Sequence, residues 1–378
     1  LGDVYKRQII NMAQNYPGSN NIELLYPSGQ FGTRIANGKD ASSPRYIFTR
    51  LSELTSILYN EQDNDNLKYL DDDGFNIEPE RFVPLLPMIL INGTKGIGTG
   101  WSTDIPKYNP SDVLNCMKKL LNGEELDEIK PWYRNYDGSF VKTENNTYLN
   151  FGVYKIMGSN TLKILELPIG TSTEEYKEFL DKIVSGNDPK IDFVENYENY
   201  STDTKVCFVV LCKTKSLEKL ILSEEPDSYG NNKIYKEFKL VKPISLNNMV
   251  LYNSEFKLTR YNSPLEVIKE FYNYRLVFYS KRKTSLLNKY NHKKDILQNK
   301  IRFIQEQIDD ILVLYKKKKD IVIKQLEDTN YTKIARTENS TPDYEYLLSM
   351  RMDSVTEEKL NKLKEEYDNI SNMIDDLE

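Results

Sequence analysis

Histidine is almost missing: His292 is the only one in 378 residues. It lies in a Lys-rich stretch with helical spacing, so a His-based catalytic triad and a His-rich metal site are both excluded. Cysteine is nearly as scarce. Cys116, Cys207 and Cys212 have no metal-ligand spacing and read as buried free thiols of a reducing compartment. No run of about 18 apolar residues occurs, so no segment reads as a membrane span and no membrane partner is expected. A surplus of positive charge is also missing. The net charge is −6, which argues against a generic basic nucleic-acid binder; any nucleic acid would be held by local patches. The acidic runs Asp71-Asp72-Asp73 and Asp375-Asp376 read as solvated loops and helix faces rather than metal sites. What is present is ample apolar material, 39% of residues, enough for more than one core.

There are 27 tyrosines, and one stands apart by its neighbours. Tyr46 follows Arg45 in Ala41-Ser42-Ser43-Pro44-Arg45-Tyr46-Ile47-Phe48-Thr49, just after a Gly- and polar-rich loop, Ser28-Gly29-Gln30-Phe31-Gly32-Thr33-Arg34. A phenol titrates near pH 10 and is a poor nucleophile at neutral pH unless cations assist it. An adjacent guanidinium can hold a phosphate oxygen through two parallel hydrogen bonds. Arg45 and Tyr46 therefore form a reasonable pair for attacking a phosphodiester and holding the phosphotyrosine that results. The loop before them can bring backbone N–H groups close to phosphate, or can be a plain surface loop. Its cations Arg34 and Lys39 would suit backbone phosphates, which position DNA without reading its sequence. Gln30 and Lys95 complete the expected DNA contacts.

Further along, Gly93-Thr94-Lys95-Gly96-Ile97-Gly98-Thr99-Gly100-Trp101 places Ile97 between glycines that contribute no side chains to a core. Two readings are open from the residues alone. Ile97 plugs a small pocket under a turn, or it is a wedge that unstacks base pairs and bends a duplex.

The order GQFGTR, GKDASSPRYIFT, PMILINGTKGIGTGWSTDIP closely resembles the breakage-and-reunion region of eukaryotic type IIA DNA topoisomerases, and the resemblance continues more loosely to the end of the chain. It implies an ATP-dependent enzyme that cuts both strands of DNA through 5′-phosphotyrosyl bonds, passes a second duplex and religates. In that family the tyrosine matching Tyr46 is the nucleophile and the isoleucine matching Ile97 intercalates. The resemblance further implies a homodimer on double-stranded DNA, in the nucleus or in the factory of a large DNA virus. Mg²⁺ and ATP would be bound by upstream domains, since neither an acidic metal motif nor a Gly-rich nucleotide motif is found here. Two alternatives are a non-catalytic DNA-binding coiled-coil scaffold that keeps the fold, and a bacterial gyrase A-type subunit.

The expected architecture is multidomain α+β. Residues 1–8 do not fit the family pattern and are expected to be non-native or an assembly scar, with the true protein extending upstream. Residues 9–104 would be the C-terminal part of a winged-helix domain, with a helix ending at Ile9–Asn15 and another running from Tyr46 through Leu51, Leu54 and Leu58. Met88-Ile89-Leu90-Ile91, bracketed by prolines, reads as a buried strand. Residues 105–262 would be an α/β tower domain, with helices over Asp112–Leu121 and Thr173–Val184 and strands over Tyr148–Met157, Thr161–Leu167, Val206–Cys212 and Met249–Tyr252. Glu224–Asn232 reads as a polar loop.

Residues 263–378 would form an antiparallel coiled-coil arm with a small helical head. Leu297, Ile301, Ile304, Ile308, Ile311 and Tyr315 make one seam, and Leu360, Leu363, Tyr367, Ile370, Ile374 and Leu377 the other. Lys316-Lys317-Lys318-Lys319, between the seams, reads as a solvated helix face. The inbound helix is expected to continue past Glu378.

Overall fold

The computed structural model describes residues 2–186, 193–223, 225–314, 316–335, 341–350 and 356–378. It separates into two compact units, Leu1–Glu61 with Lys68–Leu276, and Gln62–Leu67 with Val277–Glu378.

The first unit opens with a helix, Asp3–Ala13, whose backbone turns extended at Gln14. It begins within residues 1–8, the stretch that does not fit the family pattern. A short strand, Leu25–Ser28, pairs antiparallel with Phe48–Leu51, with Tyr26 opposite Arg50. Helix is expected from Tyr46 onward, and here the structure differs. Only a single 3₁₀ turn, Pro44–Tyr46, precedes the strand. The run Ile47-Phe48-Thr49 is β-branched and aromatic, and a partner strand is available, so pairing overrides the helical spacing. The α-helix starts at Glu53 and ends at Leu58.

Met88–Ile91 is also corrected: it is one turn of helix, not a strand. Pro87 stands at its N-terminal cap position, and the Asn92 N–H closes the turn on the Met88 carbonyl at 2.9 Å. Length and spacing cannot tell a buried strand from a buried helical turn in so short a run. Leu90 and Ile91 from this turn join Ile105, Tyr108, Val113, Met117, Met249 and Ile268 in the first core. Helix Pro110–Asn122 lies over that core, with Asn109 as the cap that accepts from Ser111 N–H and Gly123 ending it in the left-handed region.

A second core sits under a four-stranded antiparallel sheet, in spatial order Val194–Asn199, Phe208–Cys212, Thr161–Glu166, Val153–Met157. Leu162, Ile164, Phe208 and Val210 face Tyr176 and Leu180 of helix Thr173–Val184. That helix has the expected bounds, but its cap is Ser172: the Ser172 hydroxyl accepts from Glu175 N–H while the Glu175 side chain returns to Ser172 N–H. The single strand expected over Tyr148–Met157 is two strands in two sheets, Thr147–Phe151 and Val153–Met157. The break is at Gly152, where an added Cβ would lie 2.4 Å from the Glu166 carbonyl oxygen.

The helix Pro264–Ile308 begins in the first unit; its part in the second, from Val277 on, carries Leu297 and Ile304, which pack against Leu360, Leu363, Ile370 and Ile374 of helix Glu357–Leu377. The pair is antiparallel: Lys283 Nζ donates to the Glu378 carbonyl at 3.1 Å. The outbound seam ends sooner than its spacing suggests. Asp310 takes φ +54°, the N–H groups of Ile311 and Leu312 both turn back to the Glu306 carbonyl, and Ile311 is exposed. Tyr315, the last expected seam residue, lies outside the described residues. Between the long helices, Phe303, Leu312, Val322, Leu326, Tyr331, Tyr344 and Leu347 form a small core of their own. Of the four lysines, Lys319 starts the helix Lys319–Asp328 and pairs with Glu345 at 3.2 Å, while Lys317 donates to Gln325 at 2.9 Å.

Candidate active site

The loop between strands Leu25–Ser28 and Phe48–Leu51 is built by close backbone approach. Gly32 has φ +108°, and a Cβ there would meet the Gly38 Cα at 2.5 Å. Two ends of one loop thus touch where no side chain could fit. Gln14 Nε2 donates to the Phe31 carbonyl at 2.9 Å and to the Gly38 carbonyl at 3.4 Å, fixing the same crossing from below. Asp40 closes the loop by accepting from Thr33 N–H at 2.9 Å and from the Thr33 hydroxyl at 2.5 Å. Partial burial pushes the Asp40 carboxyl up, but the Thr33 hydrogen bonds outweigh it and hold the group below the usual aspartate range. Ser42 N–H then donates to the Gln30 carbonyl at 2.9 Å.

The loop delivers its chain to the turn Pro44–Tyr46. Pro44 occupies the first turn, where its missing N–H costs nothing, and Tyr46 N–H donates to the Ser43 carbonyl at 2.9 Å. The Tyr46 side chain projects outward, 71% exposed. The Arg45 guanidinium carbon lies 5.5 Å from the centre of the Tyr46 ring, and Arg45 Nε reaches Ser43 Oγ at 3.4 Å. An exposed phenol with an exposed guanidinium beside it, on a hydrogen-bonded turn, is open to an incoming phosphate.

Of the other expected residues, Lys39 is exposed, with its Nζ 3.5 Å from Glu175 Oε1, and Gln30 is exposed, with Nε2 3.5 Å from Asp40 Oδ2. Arg34 is a correction. Its side chain is 1% exposed and its Nη2 pairs with Glu166 Oε1 at 3.1 Å, so it cannot meet a phosphate from solvent. Burial raises the Glu166 carboxyl, and the Arg34 guanidinium and the Leu167 N–H pull it back only in part.

Lys95 and Ile97 sit on the hairpin Thr94–Gly98 with Trp101–Ile105, where Ile97 faces Ser102 and Gly98 faces Trp101. Lys95 is paired across the hairpin with Asp104 at 3.0 Å. Ile97 is 90% exposed, which removes the reading of a pocket plug.

Sequence reasoning missed the foot of this hairpin. Asn92 Oδ1 accepts from Ile22 N–H at 3.0 Å and Asn92 Nδ2 donates to the Ile22 carbonyl at 2.8 Å. Buried Asn21 donates to the carbonyls of Ile91, Tyr108 and Trp132. Lys107 Nζ donates to the Asn92 carbonyl, and burial lowers that ammonium to about 8. The one local signal was the position of Asn21 and Asn92 beside turns; their partners are far away in sequence. Arg50, stacked at 5.2 Å over Tyr26 on the strand that leaves Tyr46, is a further cation on this surface.

Among the described residues, no three His, Cys, Asp or Glu side chains gather in a group that could hold a metal ion. Nor, among them, is any helix long and apolar enough to cross a membrane.

The family model for the A-type chains of DNA gyrase and topoisomerase IV matches residues 4–378. DNA topoisomerase 2 of Plasmodium falciparum is 37% identical over 95% of this chain and 27% of its own length. DNA topoisomerase 2-alpha of Cricetulus griseus is 38% identical over 94% of this chain and 24% of its own. The chain thus spans about a quarter of the length of these curated relatives. The crystal structure of the Plasmodium falciparum topoisomerase II DNA-binding, cleavage and re-ligation domain superposes with a TM-score of 0.86 at 36% identity, covering 98% of this chain and 52% of that one. The chain belongs to the DNA gyrase/topoisomerase IV family and, within it, matches the breakage-reunion core of the eukaryotic type II topoisomerases.

Proposed function

We propose that this chain carries the breakage-reunion chemistry of an ATP-dependent type II DNA topoisomerase. The Tyr46 oxygen attacks a backbone phosphorus of double-stranded DNA. A Tyr–O–P bond forms, the P–O3′ bond breaks, the phenol loses its proton and the 3′ oxygen gains one. The product is a 5′-phosphotyrosyl end and a free 3′ hydroxyl. The phosphodiester energy is retained, so the reverse attack by the 3′ hydroxyl reseals the strand without an external source. Arg45 neutralises the charge that builds on the phosphate oxygens, a contribution worth about 10²–10³ in rate for a well-placed donor.

The observation that carries this reading is the outward Tyr46 with the Arg45 guanidinium 5.5 Å from its ring, on a turn pinned by its own backbone. Ile97 supports it as a wedge: bending a duplex by 40–90° costs about 1–6 kcal/mol, and an apolar side chain inserted between base pairs holds the kink, its unstacking cost offset by the added contact between bent DNA and protein. Lys39, Gln30 and Lys95 are the proposed DNA contacts. Residues 9–104 would act as the winged-helix part, 105–262 as the tower under the DNA arms, and 263–378 as the arm and its head. Two copies, each cutting one strand, make a double-strand break. The relatives compared above are eukaryotic, which favours a nuclear enzyme over a bacterial gyrase A-type subunit. Mg²⁺ and ATP would be held elsewhere in the complete enzyme.

The test is covalent trapping. The complete enzyme is incubated with supercoiled DNA and Mg²⁺ and denatured with detergent, and the DNA-linked peptide is mapped by mass spectrometry. A link at Tyr46 that Tyr46→Phe reduces to background is expected, since phenylalanine has no hydroxyl with which to form the bond to phosphorus. Protein that binds and bends DNA without ever forming the link would establish the scaffold reading instead.

A further inference from the structure

We infer, resting on the proposed role of Tyr46 as nucleophile, that buried Arg34 is a positioning residue for it. Arg34 Nη2 is shared between Glu166 Oε1 and the Leu167 carbonyl, both at 3.1 Å, and Nη1 reaches Asn37 Oδ1 at 3.4 Å. One guanidinium therefore joins the end of strand Thr161–Glu166 to the middle of the loop ahead of the nucleophile. The backbone on either side repeats the tie: Arg34 N–H donates to the Asp203 carbonyl at 3.2 Å, and the Ile35 carbonyl accepts from Glu174 N–H at 3.0 Å.

These bonds fasten Arg34 and Ile35 to segments far along the chain, while Asn37 closes on Arg34 within the loop. The neighbouring constraints are Thr33–Asp40 and Gly32–Gly38 within the loop, and Gln14, which holds the Phe31 and Gly38 carbonyls from the end of the first helix. The loop is stiff internally, and Arg34 is its side-chain tie to the strand that ends at Glu166, so that tie helps set where the loop, with Pro44–Tyr46 at its end, stands against the sheet. The segment beside the nucleophile has little slack: an added Cβ at Gly29 would lie 2.8 Å from Ile47 Cγ2. Attack in line with the departing 3′ oxygen tolerates little error, and a displacement of about 1 Å far from the chemistry costs on the order of 10² in rate. Lysine cannot replace the fork, because an ammonium is a compact donor that cannot serve the three diverging acceptors.

The experiment uses the complete enzyme with Arg34→Lys, which keeps a charge opposite Glu166, and Arg34→Gln, which does not. Four quantities are measured: the single-turnover rate of formation of Tyr46-linked DNA, its amplitude, the DNA dissociation constant, and the dependence of that constant on salt. Arg34→Lys is expected to slow covalent-complex formation at least tenfold, with amplitude preserved, affinity within twofold of wild type and the salt slope unchanged. Arg34→Gln is expected to be slower still. A protein that is merely destabilised shows a smaller amplitude at unchanged rate, and that result overturns the inference. So does a weaker affinity with a salt slope lower by about one, the signature of a lost phosphate contact. Equal rates in wild type and Arg34→Lys overturn the inference alone. A wild type that forms no Tyr46-linked DNA overturns the proposed function and this inference together.

Discussion

Asp40 shows how one side chain orders the loop that precedes Tyr46. It closes the loop on Thr33, and the two hydrogen bonds it accepts hold its carboxyl below the usual range. The sign of its pH dependence follows. A carboxyl depressed in the folded state contributes its full stability above the unfolded pKa of about 3.9 and loses it as pH falls through the lower folded value. Asp40→Asn is therefore expected to melt at a lower temperature than wild type near neutral pH. The gap should close in acid, once wild-type Asp40 is itself protonated. Thermal melts across this range check it, and a gap of constant size would mean that the charge is irrelevant. Arg34 and Lys39 make the complementary point. They are cations of one loop, yet one is buried against Glu166 and the other is exposed. Their identity announced charge; only the strand that ends at Glu166, far along the chain, decided which of them met water.

At the hairpin that bears Ile97, stability and the proposed activity are expected to separate. Ile97 is almost fully exposed, so Ile97→Ala is expected to change stability by no more than about 0.5 kcal/mol. The same variant should bend DNA less, measured by energy transfer between labelled ends, and should slow cleavage by about tenfold because more of the bending cost is left uncompensated. Unchanged bending in the variant would remove the wedge from the account. Gly93 behaves in the opposite way. It sits at the hairpin foot with φ +64°, and a Cβ would lie 2.6 Å from the Ile105 carbonyl oxygen. Gly93→Ala is expected to destabilise by about 1–3 kcal/mol, read from denaturant midpoints. The hairpin glycines were legible in the sequence. The helical turn Met88–Ile91 and the strand Phe48–Leu51 were not, because an apolar run takes the conformation its neighbours can hydrogen-bond.

Among the described residues the buried apolar side chains gather in separate cores, two in the first unit and two in the second. Ile304 is fully buried in the seam between the long helices, and Ile304→Ala is expected to cost about 2–5 kcal/mol. Hydrogen exchange should show the loss within Val277–Glu378 while Leu162 and Ile164, in the other unit, stay protected. Equal loss in both would mean that they unfold as one.

The Arg-Tyr pair, the glycine-flanked Ile97 and the two helical seams were all readable along the chain, because each is a local pattern: an Arg beside a Tyr, an Ile between glycines, apolar residues at three- and four-residue steps. The early end of the first seam, the division of Tyr148–Met157 between two sheets and the burial of Arg34 were not. Each depends on a contact between residues distant in sequence or on a backbone reversal, such as Gly152 against the Glu166 carbonyl or Asp310 turning the chain back to Glu306. Spacing along one segment carries no information about the partner that meets it in space, and that partner decides which polar groups are satisfied and which remain free to act.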